Sequence, residues 1–147
     1  MTDIILDTNA FRIFIGEKAG EFIKRVVERC DIIYVPRGFE KELRTFFLHL
    51  LHKPKRELGG RKMKEVNLEV ERLPNPLKRG LEECNASHFD MKVAELAYRR
   101  CELEQAVYLV TNDRCFHTIR LLFEEIGVNI RAVEEFEREY LAHTLAT

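Results

Sequence analysis

Two kinds of apolar pattern alternate along this chain. Short runs rich in β-branched residues occur at Ile4-Ile5-Leu6, Asp31-Ile-Ile-Tyr-Val35, Ala106-Val-Tyr-Leu-Val110 and Val128-Asn-Ile130. Each is too short for a helix and matches a strand of a parallel sheet. Apolar residues at helical spacing precede the last three: Phe22, Ile23, Val26 and Val27; then Met91, Val93, Ala94, Leu96, Ala97 and Tyr98; then Ile119, Leu122, Phe123 and Ile126, with Gly127 in a helix C-cap position. Strands alternating with helices predict βαβ units, hence an α/β fold with a mostly parallel sheet covered on both faces.

The span from Gly38 to Glu104 departs from this rhythm and reads as mostly helical. Leu43, Phe46, Phe47, Leu50 and Leu51 give one helix a broad apolar face. The stretch from Pro54 to Gly60 breaks it, and Pro74 and Pro76 mark a second break before a short helix around Leu77 to Cys84. Residues of about 53–80 are expected to form a protruding basic helical or loop arm. Neither an internal repeat nor a low-complexity tract is present.

Length and composition agree with one domain over residues 1–147. The 147 residues are 46% apolar and 33% charged, as in a globular protein able to bury a core. No apolar run approaches the roughly 20 residues needed to cross a bilayer. The first residues enter a strand without the regions of a signal peptide, so no membrane association and a cytoplasmic location are expected. Cys30, Cys84, Cys101 and Cys115 form no C-x-x-C pair and read as buried or half-buried free thiols. Cys115-x-His117 supplies only two of the four ligands of a tetrahedral zinc site.

Net charge is −1, but it is segregated. Lys53, Lys55, Arg56, Arg61, Lys62 and Lys64 crowd one stretch around Gly59-Gly60, with one glutamate among them. The final forty or so residues lean acidic, with Glu124, Glu125, Glu134, Glu135, Glu137 and Glu139. A cationic arm suits a nucleic-acid backbone, and a solvated charged loop is its plain alternative.

The candidate chemistry is acidic. Asp7 ends the first strand and Asp113 follows the third, so in a parallel sheet both face one edge, where α/β folds bind ligands. Asp90 opens the helix before that third strand, and Glu42 lies on the helix after the second. Asp90 and Asp113 also suit helix starts, and Glu42 alone suits a solvated helix face. Asp7 answers to no evident demand of folding. Acids gathered at one place repel unless a cation lies between them, and carboxylate oxygens suit Mg²⁺ or Mn²⁺. Other phosphate chemistries lack their signatures. G-x-x-x-x-G-K-[ST] and a G-x-G-x-x-G after the first strand are absent, and Asn9 takes the second acidic position of D-x-D-x-T.

The chain resembles the PIN-domain ribonucleases. The resemblance rests on Leu-Asp7-Thr8-Asn9, on Glu42-Leu43, on His88-Phe-Asp90 with Val93-Ala94-x-x-Ala97, and on Leu109-Val110-Thr111-Asn112-Asp113 before a helix. It implies a three-layer α/β/α sandwich with about four to five strands and a metal-dependent endoribonuclease acting on single-stranded RNA. It further implies that Asp7, Glu42, Asp90 and Asp113 hold Mg²⁺ or Mn²⁺, which activates water. Asn9 and Thr111 would orient water or a phosphate oxygen beside them. Glu40 is an alternative to Glu42. Many members carry a further acid after the last aspartate, where this chain has Arg114, Cys115 and Phe116. A catalytically weak or inactive scaffold binding RNA or protein is therefore the alternative function. Toxin-like members would imply an antitoxin partner and a homodimer; RNA-processing members would not. None of His49, His52, His88 and His117 is assigned as a general base.

Overall fold

A computed structural model of the chain describes residues 2–17, 19–37, 63–68, 72–103 and 106–141. In chain order these form β1 (Thr2–Leu6), α1 (Thr8–Phe11), a π-helical segment (Arg12–Glu17), α2 (Ala19–Arg29), β2 (Ile32–Pro36) and β3 (Met63–Val66). There follow α3 (Asn75–Glu83), α4 (His88–Cys101), β4 (Ala106–Val110), α5 (Arg114–Thr118), α6 (Arg120–Glu125), β5 (Val128–Arg131) and α7 (Val133–Tyr140).

The five described strands make one sheet in the order β3-β2-β1-β4-β5, and every pairing is parallel. Side chains alternate between its faces as strand geometry requires. Ile4, Leu6, Ile33, Val35 and Val110 face one side and pack on α1, α2 and α7. Ile5, Tyr34, Val107, Leu109, Val128 and Ile130 face the other and pack on α3 to α6. The result is the expected α/β/α sandwich. An aromatic group holds the first layer, with Phe136 stacked on Tyr140 at 4.8 Å between ring centres and edge-on to Phe14 at 5.3 Å. On the other side the buried Asp3 bonds Arg100 at 2.8 Å, and that guanidinium lies 4.1 Å above the Tyr34 ring.

The helical patterns before β2, β4 and β5 appear as α2, α4 and α6. Val27 of α2 is 47% exposed, so the buried stripe is narrower than its spacing suggests and consists of Phe22, Ile23 and Val26. Gly127 follows α6 with φ +97°, a left-handed conformation that a side chain would strain.

Two expectations are corrected. The described part of the span 53–80 does not protrude. Met63–Val66 pairs in parallel with β2 and is the outermost of the described strands on that side, and Leu68, Leu73, Leu77 and Leu81 are buried against the α4 layer. Met-Lys-Glu-Val lacks an apolar run: Met63 is buried while Lys64 is exposed, as the alternation of a strand allows. Cys30 is exposed rather than buried, at a turn with φ +57°. The helix expected around residues 43–51, together with Glu40, Glu42, His49, His52, Lys53, Lys55, Arg56, Arg61 and Lys62, lies outside the described residues. Lys64 is exposed on β3. Among the described residues, no helix is long and apolar enough to cross a membrane.

Candidate functional site

The chain leaves β1 toward β2 on one side and β4 toward β5 on the other, so the sheet's topological switch point falls between β1 and β4. Open α/β sheets bind ligands beyond the carboxyl ends of the strands at such a point. Leu6 pairs with Val110, which places Asp7 opposite Thr111. The ladder continues one step further, through Asp7 N–H to Val110 O at 3.1 Å and Thr111 N–H to Arg131 O at 2.9 Å.

Asp7 is 8% exposed and has a structural task that the sequence did not suggest. It is the N-cap of α1, its Oδ1 accepting the Ala10 N–H at 2.9 Å. Its Oδ2 accepts the Thr111 hydroxyl. The Thr111 Oγ1 in turn accepts the Asp113 N–H at 2.9 Å, so one hydroxyl joins the ends of both strands. Asp113 caps α5 through Oδ1 to the Cys115 N–H at 2.8 Å. Asp90 sits in the first turn of α4 in a reciprocal capping box. It accepts the Ser87 N–H and its own N–H donates to Ser87 Oγ, both at 3.1 Å. The helix-start roles considered for Asp90 and Asp113 are thus present, and both acids also act on Asp7.

Burial pushes the Asp7 carboxyl above its ordinary 3.8, and the Asp113 and Asp90 charges push it further. The Ala10 and Thr111 hydrogen bonds oppose this only in part. Cys115 registers the same field. Burial first, then the Cys84 thiol and the Asp113 and Asp90 carboxylates, push its thiol up to about 12, so it is no nucleophile at neutral pH.

Two of the other buried acids among the described residues have a cationic partner, and the third, Asp31, has neutral donors as Asp7 does. Asp3 pairs with Arg100, and Glu95 pairs with Arg99 at 3.3 Å. Asp31 accepts the Thr2 N–H at 2.8 Å and the Tyr140 hydroxyl at 2.5 Å. Among the described residues, Asp7 meets two neutral donors, two further carboxylates and no cation in an ion pair.

Asn9, expected beside the acids, is exposed on α1, where its Oδ1 accepts from Arg12 at 3.4 Å. His88 is the exposed first residue of α4. Sequence reasoning missed two contributors. Ser87 is signalled by its S-x-x-D spacing to Asp90. His117, whose Nε2 lies 2.7 Å from the Thr111 carbonyl, is brought there by tertiary structure. An open groove of about 490 Å³ lined by Glu21, Glu134, Glu137, Arg138 and Leu141 shares no residue with this cluster.

Among the described residues, no three His, Cys, Asp or Glu side chains are close enough to form a ready-made ion cage. The donor chemistry nevertheless suits a hard divalent cation, which takes oxygen ligands and relieves repulsion between carboxylates. No protein hydrogen bond among the described residues engages Asp113 Oδ2 or Asp90 Oδ1.

No protein-family model matches the chain, and no curated protein or solved structure matches it.

Proposed function

We propose that this chain is a divalent-metal-dependent endoribonuclease acting on single-stranded RNA, with Asp7, Asp90 and Asp113 as metal-holding acids at the β1–β4 switch point. The observation that carries this proposal is the crowding of negative charge at buried Asp7, which forms no ion pair among the described residues. Asp3 and Glu95 have arginine partners and Asp31 accepts two neutral donors, whereas Asp7 is buried with the Asp113 and Asp90 charges acting on it, an arrangement whose repulsion a cation removes. The resemblance to PIN-domain ribonucleases adds Glu42, or Glu40 in its place, as a fourth acid. When bound, Mg²⁺ or Mn²⁺ supplies Lewis acidity that activates water toward a phosphodiester and steadies the leaving oxygen.

The chain's own residues supply the rest. Thr111 fixes the spacing between the ends of β1 and β4, and the caps of α1, α4 and α5 hold the three acids. Lys53, Lys55, Arg56, Arg61, Lys62 and Lys64 attract the RNA backbone. An antitoxin partner and a homodimer belong to the toxin-like variant of this proposal, which no residue here selects.

One observation favours a non-cleaving scaffold as the second reading: Asp7 and Asp113 already cap helices, and Asp90 completes the capping box of Ser87. Cleavage assays separate the two. With Mn²⁺ or Mg²⁺ the full chain is expected to cut an unstructured end-labelled RNA, EDTA to abolish cutting and Asp7→Asn to eliminate it. Cutting that survives Asp7→Asn contradicts the proposal, as does wild-type protein inert under both metals.

A further inference from the structure

Thr111 is fully buried, and every polar atom it has is engaged. Its N–H donates to Arg131 O at 2.9 Å, and its hydroxyl joins Asp7 to the Asp113 N–H. Its carbonyl lies 2.7 Å from His117 Nε2. A carbonyl only accepts, so Nε2 carries the proton and donates. His117 belongs to α5, the helix that Asp113 caps, and its own N–H donates to Asp113 O at 3.4 Å. The imidazole thus reaches back from α5 to the end of β4 and closes a ring of hydrogen bonds around the turn carrying Asp113. The strand bond to Arg131 fixes one side of the Thr111 residue, and His117 fixes its carbonyl.

We propose that His117 is a positioning residue of the acidic cluster: by holding the Thr111 carbonyl it sets where the Thr111 hydroxyl meets Asp7, and so the spacing of Asp7 and Asp113. The consequence for metal binding rests on the function proposed above, whereas the positioning itself does not. Outer partners of metal-binding side chains are worth about 10–100-fold in affinity or activity. A residue that only packs would show no dependence on a donor at this position.

The experiment compares wild type, His117→Gln and His117→Leu in the full chain. Glutamine keeps an N–H donor where Nε2 stands, and leucine removes it. Without metal, carboxyl-carbon NMR follows the titration of Asp7, which the Thr111 hydroxyl normally lowers. The leucine variant is expected to titrate higher than wild type and the glutamine variant like wild type. In Mn²⁺ calorimetry, affinity is expected to fall about tenfold or more for leucine and to return with glutamine. Should the leucine variant not fold, His117→Asn, too short to reach the carbonyl, takes its place. Asp7 titrating alike in leucine and wild type, or displaced equally by leucine and glutamine, would overturn the inference. If wild type binds no Mn²⁺, the metal proposal falls, while the Asp7 titration still decides the role of His117.

Discussion

The Thr111 hydroxyl donates to the Asp7 carboxylate across the carboxyl ends of two neighbouring parallel strands, and its oxygen accepts the Asp113 N–H. Two acids far apart in sequence are therefore spaced by one buried side chain. The β1–β4 register, Leu6 against Val110, brings the two strand ends side by side and so makes this bond possible.

Thr111→Val keeps the shape and removes the hydroxyl. It leaves the Asp113 N–H unpaired and strips Asp7 of a bond that lowers its pKa. The expected cost is about 1–3 kcal/mol, read from the urea midpoint. The Asp7 carboxyl is expected to titrate higher and RNA cutting to fall with it.

Asp7→Asn should stabilise the protein at neutral pH. The folded state raises the Asp7 pKa above 3.8, so it binds the proton more tightly than the unfolded chain. The stability linked to that proton is complete below pH 3.8 and is lost as pH rises through the folded value. Asparagine cannot ionise and escapes the loss. Its one carbonyl oxygen keeps the Ala10 bond, while its amide cannot accept the Thr111 hydroxyl, which offsets part of the gain. Calorimetric melting at pH 7 should show a higher midpoint for the variant, about 2–4 °C for each kcal/mol relieved, and the gain should shrink toward pH 4. A variant melting below wild type at pH 7 would contradict this.

Asp90 combines a cap with a site acid, and two substitutions part these tasks. Ser87→Ala removes the Oγ that accepts the Asp90 N–H and should cost about 1 kcal/mol with cutting largely intact. Asp90→Asn keeps an oxygen able to accept the Ser87 N–H, so it should stay folded while losing activity. Equal retention of activity in both variants would reduce Asp90 to its cap.

Neutralising Lys55, Arg56, Arg61 and Lys62 should weaken RNA binding and flatten its salt dependence, by about 0.7 in log–log slope for each phosphate no longer neutralised. Unchanged affinity across a salt titration would leave that stretch a solvated loop.

What could be read from sequence was local. The runs at Ile4, Ile33, Val107 and Val128 revealed the sheet because buried parallel strands are apolar on both faces. Asp7 and Asp113 stood out because each follows such a run. β3 was hidden, since two charged residues, Lys64 and Glu65, interrupt its short apolar pattern. The cap made by Asp7 was hidden because α1 is four residues long and leaves no periodic trace. The Thr111–Asp7 and His117–Thr111 bonds depend on register and on packing of α5, which no spacing of residues states. Asn9 shows the reverse: a neighbour in sequence that turns to Arg12 rather than to the acids.

The most direct measurement is anomalous scattering from crystals of the full chain soaked in Mn²⁺. A peak is expected at the β1–β4 switch point within coordination distance of carboxylate oxygens from Asp7, Asp90 and Asp113, absent in Asp7→Asn crystals. A map with no peak there, or one that persists unchanged in the variant, would contradict a metal held by these acids.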